Sequence, residues 1–216
     1  MAIMNRTVLV AFTLLFSLCL VVGVAEAMTE AQARYEEGKA FIGEGKVDEA
    51  MVAFDKAIAL APDYMNAYFA RGTLYTNKGD FDGAIRDFTK TIELRPDNDM
   101  AYGGRGLAYF SKKDFEKALN DFDRAIVLNT EDWLVYYARG TIYAMAGEYD
   151  RAIADFSKAI DLQPDKDMLY NDRAAAYYMK KDYDAAWKDV NKIEEMFGNI
   201  NTNLLEKLKQ ASGRKE

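Results

Sequence analysis

Between residues 31 and 200 the apolar and small side chains recur at intervals of three, four or seven, and each recurrence is broken by a short polar stretch. In residues 65–98, Tyr68, Gly72 and Tyr75 fall on one face of a helix, and Phe81, Ala84, Phe88 and Ile92 on one face of a second. Lys78-Gly79-Asp80 separates the two, and Pro96, which cannot continue a helix, closes the second. The pattern predicts a helical hairpin. One hairpin alone buries neither of its apolar faces, so neighbouring hairpins must stack to cover them.

The hairpin repeats with a period of 34 residues. Gly38, Gly72, Gly106, Gly140 and Ala174 share one column, followed by Phe41, Tyr75, Tyr109, Tyr143 and Tyr177. Further on come the columns Ala50, Ala84, Ala118, Ala152, Ala186 and Phe54, Phe88, Phe122, Phe156, Val190. After Ala57, Thr91, Ala125, Ala159 and Ile193, the closing column is Pro62, Pro96, Thr130, Pro164 and Gly198, and it holds all three prolines of the chain. The repeats are residues 31–64, 65–98, 99–132, 133–166 and 167–200. Where Thr130 replaces proline, the third repeat is expected to run on a little longer into the fourth.

Both ends of the array carry signals. Thr29 with Gln32 three residues later fits a capping box opening the first repeat. After Gly198, Asn201-Thr202-Asn203 offers N-caps, and Leu204, Leu205 and Leu208 follow at helical spacing, so residues 202–211 are expected to form a capping helix and 212–216 to fray.

This succession of small, aromatic, small, aromatic, small and proline columns resembles the tetratricopeptide repeat family. The resemblance covers all five repeats and implies an all-α fold, a right-handed superhelical solenoid of helix-turn-helix repeats closed by the C-terminal helix. The chain departs from the pattern at Thr130, at Lys113 and Lys181 where other repeats have a turn glycine, and at Val190 and Ile193 in the fifth repeat.

Composition narrows the chemistry. The 216 residues are 50% hydrophobic and 29% charged, with no histidine and one cysteine, Cys19. That inventory removes imidazole acid/base catalysis, His/Cys metal sites and intrachain disulfides. With 28 Lys plus Arg against 35 Asp plus Glu, the net charge of −7 gives no general attraction to phosphate backbones, so nucleic acid is not expected as a partner. The adjacent carboxylates Glu36-Glu37 and Glu194-Glu195 point apart on a helix and read as solvated surface. Gly103-Gly104-Arg105-Gly106 falls inside a first helix and lacks the strand and Lys-Ser/Thr of a nucleotide loop, so it reads as close helix packing. No enzyme activity and no cofactor or metal is expected.

Residues 1–27 read as an export signal. Arg6 precedes an apolar run from Val8 to Ala25, and Ala25-Glu26-Ala27 suits cleavage after Ala27. The run exceeds the roughly 7 to 15 residues of a signal core and approaches the roughly 18 that span a bilayer, so membrane association through an uncleaved anchor is the alternative. Leu18 before Cys19 argues against lipidation. Either mode places the repeats outside the cytoplasm, in a periplasm or cell envelope.

Two sets of positions carry candidate function. Arg71, Arg105, Arg139 and Arg173 stand sixteen residues before Asp87, Asp121, Asp155 and Asp189, which levels them across a hairpin, while the first repeat has Glu37 and Ala53 instead. Pairing within each repeat is expected, as a partly exposed pair of roughly 0.2 to 1 kcal/mol; the alternative is an arginine ladder for an acidic ligand. The family resemblance also implies a concave groove lined by the first helices. Its candidate residues are Asn66, Phe69, Met100, Leu107, Phe110, Leu134, Tyr137, Met145, Met168, Asn171, Tyr178 and Met179. Among the groove positions of repeats two to five Asp172 is the only charge. The family's carboxylate clamp is absent, since Phe69, Gly103 and Tyr137 stand where it has lysine, and Thr73, Leu107 and Thr141 where it has asparagine. The expected function is a protein-interaction adaptor that takes an apolar segment of a partner protein or peptide. The alternatives are that Phe69, Phe110 and Tyr137 pack within the array, and that the chain is a membrane-anchored scaffold joining partners through its outer faces.

Overall fold

Short polar caps and left-handed turn residues set the helix boundaries. Asp80, Asn98, Asp114 and Asp182 each accept a backbone N–H three residues ahead, from Gly83, Ala101, Lys117 and Ala185, satisfying donors that a helix start leaves free. The turns inside the hairpins require positive φ, met by Gly45, Gly79 and Gly147 at 74°, 76° and 78°. Lys113 and Lys181 take the same conformation at 63° and 66°, so the turn keeps its geometry where glycine is missing and carries a cost of roughly 1 kcal/mol at each. Before each proline the chain leaves the helix extended, at Ala61, Arg95 and Gln163.

The computed structural model describes residues 6–128, 130–198 and 202–214, with side chains from residue 22 onward except Phe197. Asn201 of the expected cap, residues 215–216, and the side chains of Cys19 and most of the Val8 to Ala25 run lie outside the described residues. All regular structure among these residues is helical, as the sequence pattern requires, and no described helix is long and apolar enough to cross a membrane.

The chain divides into two compact units, Met1–Pro96 and Asp97–Glu216. The first holds α1 (Arg6–Gly43), α2 (Val47–Leu60), α3 (Met65–Lys78) and α4 (Phe81–Leu94). The second holds α5 (Asp99–Ser111), α6 (Phe115–Val127), α7 (Trp133–Met145), α8 (Tyr149–Leu162), α9 (Asp167–Met179), α10 (Tyr183–Phe197) and α11 (Thr202–Ser212). Within each unit sequential helices pack as antiparallel neighbours, and each core is a chain of small contacts: Ala31, Ala50, Phe54, Ala57 and Ala67 in the first, Ala118, Phe122, Ala125 and Val135 in the second. The repeat glycines set the helix separation. A Cβ at Gly38, Gly106 or Gly140 would stand 2.5, 2.6 or 2.9 Å from the ring of Phe54, Phe122 or Phe156. The fifth repeat solves the same contact with Ala174 and the smaller Val190, both buried.

Three expectations are corrected. Thr29 is not an N-cap: α1 runs unbroken through it, and its hydroxyl donates to the Ala25 carbonyl at 2.9 Å, because the preceding residues are helical and leave no free N–H to cap. The third repeat does not run on. α6 stops at Val127, one residue short of the column where α2, α4 and α8 end. Thr130 keeps the N–H that proline lacks and donates it to the Ala125 carbonyl at 3.1 Å, while its hydroxyl accepts from the Asp132 N–H at 3.2 Å. Those bonds turn the chain out of the helix sooner. Finally, residues 212–214 are held rather than frayed: the Trp187 indole donates to Ser212 Oγ at 3.0 Å, and Arg214 pairs with Asp184 at 2.6 Å.

Candidate interaction surface

The four Arg–Asp pairs are bidentate. Nε and Nη2 of Arg71, Arg105, Arg139 and Arg173 donate to the two carboxylate oxygens of Asp87, Asp121, Asp155 and Asp189 at 2.6 to 2.8 Å. The pairs are partly exposed, as expected, but unevenly so: the aspartates are only 3–5% exposed, while the arginine side chains keep 17–19% of their surface. The third nitrogen reaches back one repeat, from Arg71 to Asp55, Arg139 to Asp123 and Arg173 to the Ser157 hydroxyl. Each of these guanidiniums therefore ties its own hairpin together and fastens it to the previous one. With their forks committed inward, the arginines do not form a free ladder for an acidic ligand.

The groove candidates divide by side-chain type. In the N-terminal unit Asn66 is exposed and Phe69 half-buried, its ring edge-on to Phe88 with centroids 5.6 Å apart. In the C-terminal unit the exposed members are aliphatic or thioether: Met100 at 58%, Leu134 at 37%, Met168 at 39%, Met145 at 66% and Met179 at 55%. Met100, Leu134 and Met168 repeat one position of α5, α7 and α9, and Met145 and Met179 repeat another. Leu107 and Phe110 are half-buried against the Phe122–Val135 core, Phe110 lying 5.8 Å from Phe115. Tyr178 leans on Tyr183 at 5.8 Å. The aromatic rings thus already spend part of their surface on their own hairpins, which lowers what each has left for a partner. Gly103 is buried, its Cβ position 3.0 Å from Val135 Cγ2, so this glycine serves helix packing.

Tyr137 of α7 and Asn171 of α9 meet at Asp172, while Met145 and Met179 share a cavity with Asp172 on the same two helices. This cavity, of about 300 Å³, is lined by Thr141, Ala144, Met145, Tyr149, Phe156, Asp172, Ala175, Ala176 and Met179. Tyr137 packs 5.9 Å from Phe156 and donates its hydroxyl to Asp172 Oδ2 at 2.9 Å. Burial, with the Asp172 charge beside it, pushes the Tyr137 hydroxyl up to about 12, so it stays a donor at any physiological pH. Asn171 Nδ2 donates to Asp172 Oδ1 at 3.4 Å, leaving Asn171 Oδ1 buried without a partner. Sequence reasoning singled out Asp172 as an isolated charge but missed its bond to Tyr137 and the contribution of Tyr149. The first was within reach, because the 34-residue period places Asp172 next to the column of Tyr137.

Comparison with known proteins agrees with this architecture. Three tetratricopeptide repeat models match, over residues 38–79, 69–133 and 106–176, together spanning more than half of the chain. A comparison with curated protein sequences finds no match. Among solved structures, a MamA protein is similar at 26% identity and a TM-score of 0.67, covering 87% of this chain and 96% of that one. PilF of Pseudomonas aeruginosa shares the fold at 19% identity and a TM-score of 0.71, covering 88% and 86%. PilW, described as a widely conserved type IV pilus biogenesis factor, does so at 15% identity and a TM-score of 0.69, covering 86% and 87%. The repeat columns, the paired helices and these matches agree: the chain belongs to the tetratricopeptide repeat family.

Proposed function

We propose that this protein is a non-catalytic adaptor of the cell envelope that binds an apolar segment of a protein partner along the first helices of its C-terminal unit. The family serves protein–protein interaction in general; the finer reading rests on one observation. Met100, Leu134 and Met168, with Met145 and Met179, leave a periodic apolar row exposed on a chain that is 29% charged. Exposed apolar residues standing singly need no explanation, whereas a row in register marks a contact surface. Methionine suits it, because an unbranched, polarisable side chain adapts to varied partners. Export is supported by Arg6, the Val8 to Ala25 run and the small residues at Ala25 and Ala27.

The test places a photo-reactive residue at Met145 or Met179 in the native envelope, with Lys158, exposed on α8, as the control. A defined partner cross-links from the two methionine positions and not from Lys158, and Phe110→Glu or Met145→Glu abolishes the product. Met145 is exposed, so its exchange does not depend on refolding the core. Cross-links from Lys158 alone would transfer the function to the outer faces and end the groove proposal. Mass measurement of the mature amino terminus at residue 28 checks export with cleavage.

A further inference from the structure

Four buried aspartates of this protein each have an arginine, whereas Asp172, half-buried on an apolar surface, has no cation paired with it among the described residues. A carboxylate withdrawn from water is normally paired, because its desolvation must be offset. Tyr137 and Asn171 each donate one hydrogen bond to it, at 2.9 and 3.4 Å. An ionised carboxylate accepts about four. Asn171 Oδ1 beside it is a further acceptor, buried and unpartnered. The local balance is therefore a surplus of acceptors and one negative charge without a cation at the wall of a cavity whose other lining residues are mostly apolar, Met145, Met179, Ala144, Ala175, Ala176 and Phe156, with Thr141 and Tyr149.

From this we infer that the cavity between α7 and α9 is a pocket for a lysine side chain carried by the apolar partner segment, with Asp172 receiving its ammonium. The inference deepens the groove reading and rests on it. A lysine has the required composition: its four-carbon stem lies along the methionine and alanine wall, and its ammonium supplies the donors that Asp172 lacks. A cavity of about 300 Å³ accommodates that stem. A purely apolar residue would fill the space and leave the carboxylate unpaired beneath it. An acidic residue would bring two carboxylates together. Tyr137 is the positioning residue, its hydroxyl fixing Asp172 Oδ2 while Oδ1, which accepts only the long 3.4 Å bond from Asn171, keeps lone-pair capacity for the ammonium.

The test uses the full chain and three synthetic twelve-residue peptides, apolar throughout except for a central lysine, norleucine or glutamate, with affinity read by fluorescence anisotropy. The lysine peptide is expected to bind roughly tenfold tighter than the norleucine peptide, the scale of a charge-assisted bond at a partly exposed site, and the glutamate peptide weakest. Asp172→Asn brings lysine to within about twofold of norleucine, and leaves norleucine affinity and the thermal midpoint unchanged. Tyr137→Phe weakens lysine binding only, by an intermediate factor. If norleucine binds and lysine is no better, or if Asp172→Asn keeps the preference, the lysine pocket is wrong while the groove stands. If none of the three binds, the groove reading fails and the pocket with it.

Discussion

Taking away the Asp121 carboxylate would strip Arg105 of both bonds that hold its Nε and Nη2, in a site where the aspartate is 3% exposed. Breaking such a pair from one side leaves an uncompensated charge, so Asp121→Ala should cost about 3 kcal/mol, while removing both partners as Arg105→Leu/Asp121→Leu should cost less. Urea unfolding measures both, with Asp123→Ala, which removes an exposed member of the neighbouring pair, as a control within roughly 1 kcal/mol. Equal losses for Asp121 and Asp123 would show that burial of the pair carries no weight. The pairing itself was legible in the sequence, because Arg105 and Asp121 stand level about the turn and the first repeat lacks both. Its depth was not. Nor was the reach of Arg71, Arg139 and Arg173 into the previous hairpin, since that depends on how two hairpins sit against each other.

At the scale of the helix pair, the same sixteen-residue step that sets Arg105 against Asp121 sets Gly106 against Phe122. Four repeats pair glycine with phenylalanine, and the fifth pairs Ala174 with Val190. The second column becomes smaller where the first becomes larger, because the helix separation holds their combined volume constant. Gly106→Ala alone should therefore cost about 1 to 3 kcal/mol by overpacking against a ring its Cβ would meet at 2.6 Å. Combined with Phe122→Val it should cost distinctly less than the sum of the two single changes, with a coupling of about 1 kcal/mol in a denaturant-unfolding double-mutant cycle. Additive losses would sink the volume argument. Both columns could be read along the chain, but their mutual contact belongs to the packed hairpin. The shortened α6 makes a similar point: the absence of proline at Thr130 was visible, and it took the bond from the Thr130 N–H to the Ala125 carbonyl to turn that absence into an earlier exit.

For the molecule as a whole, the apolar face that the fifth hairpin turns toward the C-terminus has to be covered. α11 occupies the place of a sixth first helix, with Leu204 and Leu208 buried against Trp187 and Val190 of α10. Leu208 stands in the column that holds glycine or alanine in every repeat, and here a large residue fills the position against α10. Leu208→Ala should cost about 2 to 5 kcal/mol by leaving a cavity. Because repeat stability is a sum of nearest-neighbour terms, hydrogen exchange should quicken first in α10 and α11, with α7 and α8 less affected. Uniform acceleration across the C-terminal unit would show instead that it opens as one piece.

By itself the sequence determined the period, the helical hairpins, the closing prolines and the Arg–Asp register, because each is a property of spacing along one chain; the poverty of charge at the groove positions was read through the family resemblance that the period carries. The tertiary structure decided what depends on distance between helices: that α1 absorbs Thr29, that the aromatic rings of the surface are already half spent, and that Arg71, Arg139 and Arg173 fasten one hairpin to the next. It also decided the placing of Asp172 beside Tyr137 and an apolar cavity without a cation of its own. A repeat fixes which side chains are equivalent; only packing fixes which of them have a partner, and an unmatched charge appears only when all the matched ones have been placed.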